Sequence, residues 1–213
     1  MVDVGYLERV VSGEIGAFAR PARVLSRDEV LSRPSPVPSQ DGVYGWWFRR
    51  VPPLVAAPRC CRHDGLTLLY AGISPDRPPG NGRPASRQRL VDRIRYHYTG
   101  NAEGSTLRRT LGCLLAAELG IELRRVGSGG RMTFAGGEQV LSSWMAGNAY
   151  VSWVVRQQPW ELEDDLITAL DLPLNLMGIK HNQFHPVLTQ VRATCVARAR
   201  ELPVLPNPGT GGR

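Results

Sequence analysis

Gly42–Phe48 (GVYGWWF) and Leu66–Ser74 (LTLLYAGIS) are the two runs on which the fold turns. Each is short, continuously apolar, and rich in aromatic or β-branched residues. The second closes on a Pro75-Asp76 turn, so the pair reads as two strands that belong side by side. Between them Pro52, Pro53, Pro58 and the adjacent Cys60 and Cys61 make residues 49–65 a long, irregular hairpin loop. Ala149–Val155 (AYVSWVV) is a third core strand of the same character. Upstream, Pro34, Pro36 and Pro38 force an extended connection, because proline fixes its own φ and keeps the residue before it out of the helical region. Before that, Val10, Val11, Ile15, Phe18, Val24 and Leu31 recur at loosely helical spacing, broken by Gly13, Gly16 and Pro21, which predicts short N-terminal helices.

After a loop ending in Gly80, Gly82 and Pro84, Ser86 is placed to cap a helix whose buried stripe is Leu90, Ile94 and Tyr98. Arg89, Arg93 and His97 form the neighbouring stripe at the same spacing. Thr99-Gly100-Asn101 stops that helix, and Ser105 caps the next, with Leu107, Leu111, Leu114 and Leu115 as core. Residues 121–126 and 131–134 read as a hairpin across Gly127 and Gly130, followed by a helix over 138–145. Pro159 opens a further helix, with Leu162, Leu166, Ile167 and Leu170 buried and Glu163 on the flank, and Pro173 ends it. A last helix runs from Pro186 through Glu201, and residues 203–213 are expected to be a disordered tail.

The chain has 213 residues, 42% hydrophobic and 21% charged, with a net charge of +7. That is one ordinary globular domain rather than a disordered tail or a fibre. No apolar stretch approaches the roughly 18 residues of a membrane span. An N-terminus with Asp3 and Glu8 and no apolar core does not read as a secretion signal, so the cytoplasm is the expected compartment. Cys60, Cys61, Cys113 and Cys195 show no paired spacing; free thiols are expected, with a zinc site at Cys60, Cys61 and His63 the weaker reading. Lys180 is the only lysine among 26 basic residues. A GC-rich genome would produce that bias, yet arginine also suits bidentate phosphate contacts. The positive charge concentrates between Arg77 and Arg109, where eight arginines face only Asp92 and Glu103. This points to an acidic partner, nucleic acid first.

Four signals follow one another along the chain: Gly42-Val43-Tyr44, Tyr70-Ala71-Gly72, Arg93 with His97, and Glu163 followed by Asn175. Singly, each has an ordinary structural explanation: a strand tyrosine packs, an arginine on a basic helix is solvated, and a glutamate near a helix start serves the macrodipole. Together, from about Gly42 to Asn175, they resemble the GIY-YIG nuclease superfamily. The two tripeptides correspond to that family's Gly-Ile-Tyr and Tyr-Ile-Gly, with changed middle residues. Arg93 and His97 match its Arg and the His or Tyr four residues on. The run ELEDDLITALDLPLN places Glu163, Leu166, Ile167, Pro173 and Asn175 in register with its metal-binding helix. The loops 49–65 and 75–85 and the insertion 120–148 are longer than in minimal members and are more like the restriction-endonuclease branch.

The resemblance implies an α/β (α+β) fold, a small, mostly antiparallel three-stranded sheet flanked by helices, with the hairpin and helix of 120–148 added. The organisation read on this basis is an N-terminal helical extension 1–40, a nuclease core 41–182, a C-terminal helix 183–202 and the tail. It implies a metal-dependent endonuclease acting on DNA, leaving 5′-phosphate and 3′-hydroxyl ends, with Glu163 holding Mg²⁺ or Mn²⁺. Arg93 would offer its planar fork to the scissile phosphate. Tyr44 would act as general base provided a nearby positive charge lowers its pKa, and Tyr70 would orient the water or the phosphate. His97 would take or relay the tyrosine proton, or bond the phosphate itself. Arg87, Arg89, Arg95 and Asn175 are the expected DNA contacts, with a brace through backbone hydrogen bonds as the other reading of Asn175.

Neighbouring residues compete for these places. Glu161 lies about 200° around the helix from Glu163, so only one of the two faces the site, and the step to Asn175 selects Glu163. Asp164 and Asp165 read as solvent-facing acids. His181 and His185 read as polar surface or packing before metal ligands, and Trp46, Trp47 and Trp153 as packing before base-stacking platforms. An RNA-directed nuclease and a nucleic-acid-binding or regulatory module without cleavage are the alternatives. One site per chain means that cutting both strands takes a homodimer or sequential nicks.

Overall fold

The computed structural model describes residues 13–81, 84–177 and 182–207. Val10 and Val11 of the N-terminal helices, Gly82 and Arg83 of the loop, Lys180, His181 and the last six residues of the tail lie outside them. After a helical segment at 13–19, the elements in chain order are α1 (Arg27–Leu31), β1 (Gly42–Phe48), β2 (Arg62–His63), β3 (Leu66–Ser74), α2 (Leu90–Thr99), α3 (Thr106–Leu114), α4 (Ala116–Leu119), β4 (Arg124–Val126), β5 (Arg131–Thr133), α5 (Gly137–Asn148), β6 (Ala149–Val155), α6 (Pro159–Ala169) and α7 (His185–Glu201).

β1 pairs antiparallel with β3 on one side and β6 on the other, so the three long strands are those read from the sequence. The two-residue β2 adds to the far edge of β3, making the order β2-β3-β1-β6 and the sheet four-stranded rather than three-stranded. Every residue of β1 is buried, and the alternation of a strand sends its side chains into two cores. Tyr44, Trp46 and Phe48 join Leu90, Ile94 and Tyr98 of α2 and Leu107 and Leu111 of α3. Val43 and Trp47 join Phe18 and Leu162 and Leu166 of α6. A strand covered on both faces has no polar side to show, which is why β1 reads as an unbroken apolar run.

Three boundaries differ from the sequence reading, each because a tertiary bond wins over a local signal. Ser86 caps nothing: its hydroxyl accepts from Gln88 N–H, and α2 starts at Leu90, whose N–H donates to the Gln40 carbonyl at the entry to β1. α6 stops at Ala169, before Pro173, and the segment beyond it turns to β3, where Leu174 N–H donates to the Leu69 carbonyl. Residues 203–207 are not loose: Leu205 N–H donates to Arg125 O and its carbonyl accepts from Gly127 N–H, extending the β4–β5 hairpin. Ser105 does cap α3, its hydroxyl accepting from Arg108 N–H at 3.0 Å.

The insertion is tied to the core by a buried ion pair. The Arg108 side chain is fully buried, meets Glu138 at 2.7 Å, and donates to the last carbonyls of α2, His97 and Tyr98. All four cysteines are free thiols, and Trp46 and Trp47 are fully buried. Among the described residues no helix is long and apolar enough to cross a membrane.

Candidate active site

Tyr44 stands opposite Gly72 in the β1–β3 register, and that glycine leaves the space its ring occupies: a Cβ there would lie 2.6 Å from the Tyr44 hydroxyl oxygen. The phenol runs over the strand to the face of α2 that carries Arg93 and His97. There Tyr44 Oη lies 2.8 Å from His97 Nε2 and accepts from Arg93 Nε–H at 3.4 Å. The i, i+4 spacing of Arg93 and His97 is what lets one hydroxyl touch both. Arg93 is anchored at its other end by Nη1–H donating to the Gly104 carbonyl at 2.9 Å. Tyr70, on the same face of the next strand, packs its ring edge toward His97.

Tyr44, Tyr70, Arg93 and Glu163 line one cleft of about 700 Å³, with Asp76 and Trp160 on its rim. Glu163 comes from the second turn of α6, whose Leu162 and Leu166 hold the helix against the opposite core. The cleft therefore forms where one end of the sheet meets α2 on one side and α6 on the other. Glu161 faces away and pairs with Arg156, as the helical geometry requires.

Burial dominates the electrostatics. It pushes Tyr44 up to about 12 against the pull of Arg93, so the expected lowering of this phenol by neighbouring charge does not occur in the free protein. Tyr70 is raised further by the same cause. His97 is held well below its ordinary value by burial, Arg93 and Arg108, and is therefore a neutral imidazole. Glu163 is raised to about 7, first by burial and then by Asp164 and Asp76, with Arg77 opposing. Its carboxylate makes no hydrogen bond or ion pair with any described residue. An acceptor-only group in such surroundings is relieved by a cation, so the residues present fit a hard divalent ion. Among the described residues no group of three or more His, Cys, Asp or Glu is placed to hold one, so the ion would rest on Glu163, water and substrate oxygens.

Several expected contacts are not brought to the cleft. His97 has no exposed surface and sits behind Tyr44, so it presents nothing to the cleft itself, and its Nε2 meets the Tyr44 hydroxyl instead. Asn175 does line the cleft but is 5% exposed; its amide accepts from Ala71 N–H and donates to the Ala71 carbonyl, so it braces β3 beside Tyr70 as in the other reading of this residue. Arg89 is turned to Asp41, and Arg95 donates to the Leu31 carbonyl at the end of α1. Arg87 is exposed with no ion-pair partner among the described residues. The basic segment is thus partly neutralised, since Arg77 pairs with Asp164, Arg108 with Glu138 and Arg109 with Glu103 as Arg89 does with Asp41. Asp164 is solvent-facing as expected, and it also lines the cleft. His185 opens α7 away from the cleft.

A profile described as the GIY-YIG catalytic domain matches residues 42–194, about seven tenths of the chain. The chain belongs to the GIY-YIG family. The match starts on the first glycine of β1, takes in both tyrosine strands, α2, the insertion and α6, and ends within α7. No curated protein and no solved structure matches the chain. Membership supports a nuclease in general, a hydrolase acting on nucleic acid.

Reading the sequence missed the groups that hold this GIY-YIG site from behind. Ser105 was visible only as a helix cap, yet its hydroxyl also lies 2.7 Å from His97 Nδ1. The Gly104 carbonyl that holds Arg93 carries no side-chain signal at all.

Proposed function

We propose that this chain is a divalent-metal-dependent endonuclease that hydrolyses DNA phosphodiester bonds. The observation that carries the reading is the Tyr44 hydroxyl, set between the Arg93 guanidinium and a neutral His97, in one cleft with an unpaired Glu163.

Tyr44 Oη takes a proton from the attacking water while its own hydroxyl proton passes to His97 Nε2. A phenol near 12 need not ionise beforehand if the two transfers are concerted. Water oxygen bonds to phosphorus as the bond to the 3′ oxygen breaks, and the departing oxygen takes a proton from solvent, giving a 5′-phosphate and a 3′-hydroxyl. Arg93, charged at any working pH, pairs with the non-bridging oxygens on which charge accumulates. Tyr70, held un-ionised, keeps a hydroxyl donor at the same cleft. Glu163 would hold Mg²⁺ or Mn²⁺, an ion that supplies Lewis-acid stabilisation of the leaving oxygen. One cleft serves one strand, so a double-strand break takes a homodimer or two successive nicks.

Purified protein incubated with supercoiled plasmid and Mg²⁺ is expected to nick or linearise it. Tyr44→Phe, Arg93→Ala and Glu163→Gln should each lower the rate by about 10²-fold or more. Cleavage that survives unchanged in all three would overturn the site. Matched RNA run in parallel separates the two substrates, because a phosphate grip alone need not read a 2′-hydroxyl.

A further inference from the structure

The proton partner of Tyr44 is itself held by a third group. His97 is fully buried, and its two ring nitrogens make two contacts: Nε2 with Tyr44 Oη at 2.8 Å and Nδ1 with Ser105 Oγ at 2.7 Å. Ser105 is also fully buried. Two donors of known direction orient the chain at its ends. Arg93 Nε–H points at Tyr44 Oη, which directs the phenol's own hydrogen away from Arg93, toward Nε2. Arg108 N–H occupies one lone pair of Ser105 Oγ, and the second remains for Nδ1–H. This arrangement leaves a lone pair of Tyr44 Oη open to the cleft.

We propose that Ser105 is a positioning residue for catalysis: its hydroxyl accepts Nδ1–H, holds His97 in the tautomer whose Nε2 is unprotonated, and so keeps Nε2 ready for the Tyr44 proton. The inference rests on the nuclease reading given above and adds to it the residue that sets the histidine. The proton count closes. Tyr44 gains one proton from water and loses one to Nε2; the imidazolium so formed keeps Nδ1–H on Ser105 and, when product leaves, returns the Nε2 proton to Tyr44, which gives its other proton to bulk water in place of the one the 3′ oxygen took up. Without the hydroxyl, Nδ1 loses its acceptor and the ring is free to carry its proton on Nε2, where it opposes the transfer. The same loop serves the neighbouring charge, since the carbonyl of Gly104 holds Arg93.

Ser105 also caps α3, so the test must separate a cap from a tautomer. Ser105→Gly does so, because glycine keeps most of a cap's stability and has no hydroxyl. The chain has four histidines, which makes ¹⁵N-imidazole NMR assignable, with His97→Gln identifying the signal. In the full-length wild-type protein His97 is expected as the Nδ1–H tautomer, and in Ser105→Gly as the Nε2–H tautomer or a mixture. Finding Nε2–H in the wild type, or no change in Ser105→Gly, overturns the proposal whether or not the protein cuts DNA. In single-turnover plasmid cleavage Ser105→Gly should lower the rate constant at least about tenfold, a part of what positioned proton transfer provides, with the half-saturating DNA concentration unchanged. In the His97→Gln background it should lower it no further. A loss of equal size in both backgrounds would make Ser105 a cap and nothing more. Absence of cleavage in the wild type with the expected tautomers would sink the nuclease reading while leaving the Ser105–His97 pairing intact.

Discussion

Gly72→Ala tests the placement of Tyr44 without touching any functional group. A Cβ at this position would lie 2.6 Å from Tyr44 Oη and 2.8 Å from Cζ, whereas ordinary contact begins near 3.4 Å, so the phenol must retreat by about 0.8 Å. It has little room, being 1% exposed and held at 2.8 Å by His97. A shift of that size carries the hydroxyl out of hydrogen-bond range of at least one of Arg93 and His97. Misplacement by about 1 Å costs on the order of 10²-fold in rate, and overpacking costs about 1–3 kcal/mol of stability. Single-turnover cleavage of end-labelled DNA at saturating enzyme should therefore show Gly72→Ala slowed about 100-fold. Its melting temperature should fall by a few degrees and its DNA affinity should stay within a few-fold of wild type. Added to Tyr44→Phe it should slow the rate no further. A folded Gly72→Ala protein that cuts at the wild-type rate would refute the reasoning, because the base would then not need the position this glycine makes for it.

Glu163 is raised to about 7 when folded, above an ordinary value of 4.5, so the native state holds that proton more tightly than the unfolded chain, and stability is lost as pH climbs from 4.5 to 7. In chelator, Glu163→Gln should be more stable than wild type by about 3 kcal/mol at pH 8 and equal to it at pH 4, by thermal melts; the reverse order would refute the burial argument. Glu138→Ala leaves the buried Arg108 unpaired and should lower the melting temperature by about 10 °C, whereas Arg109→Ala, whose pair with Glu103 is partly exposed, should hardly move it. With four of the eight arginines of 77–109 already paired, DNA binding should fall with salt at a log–log slope of about −2 to −4 rather than −7, by titration at several salt concentrations.

What was legible in the sequence and what was not divides along physical lines. β1 and β3 were legible because strands covered on both faces leave an unmistakable apolar run, the edge strand β6 because its residues are mostly β-branched and aromatic, and α2 and α6 because their buried stripes repeat at the helical period. Tyr44, Tyr70, Arg93, His97 and Glu163 were legible through ordered motifs, and the cleft does collect four of them, with His97 directly behind. Charge pairing was not. Arg89 with Asp41 and Arg108 with Glu138 join residues 48 and 30 positions apart, so a local count of arginines overstates the free positive charge. The hydrogen-bond partners of Asn175 and His97 were equally hidden, because a side-chain amide or ring nitrogen gives no sign in sequence of which backbone or hydroxyl group it meets. The sign of the Tyr44 shift went wrong for a related reason: Arg93 is visible as a neighbour by spacing, but the depth of burial that outweighs it is a property of the assembled core.

The pattern of shifts has its own logic. Burial keeps the two tyrosines, His97 and, below pH 7, Glu163 un-ionised, so of these five groups Arg93 is the one that rests charged. In the proposed reaction a phosphodiester brings one negative charge, which Arg93 would balance. In-line attack would add a second, spread over the non-bridging and leaving oxygens, and an imidazolium formed on His97 would answer part of it from behind Tyr44. The remainder falls on the far side, at the leaving oxygen, beyond the reach of α2. Glu163 enters the cleft from α6 with its carboxylate unpaired, and Asp76 and Asp164 raise the cost of leaving it bare. A carboxylate so placed opposes the reaction unless it holds a cation. The arrangement that makes Glu163 costly to the folded protein is thus the one that makes it a receptive ligand, and proton and metal compete for the same two oxygens.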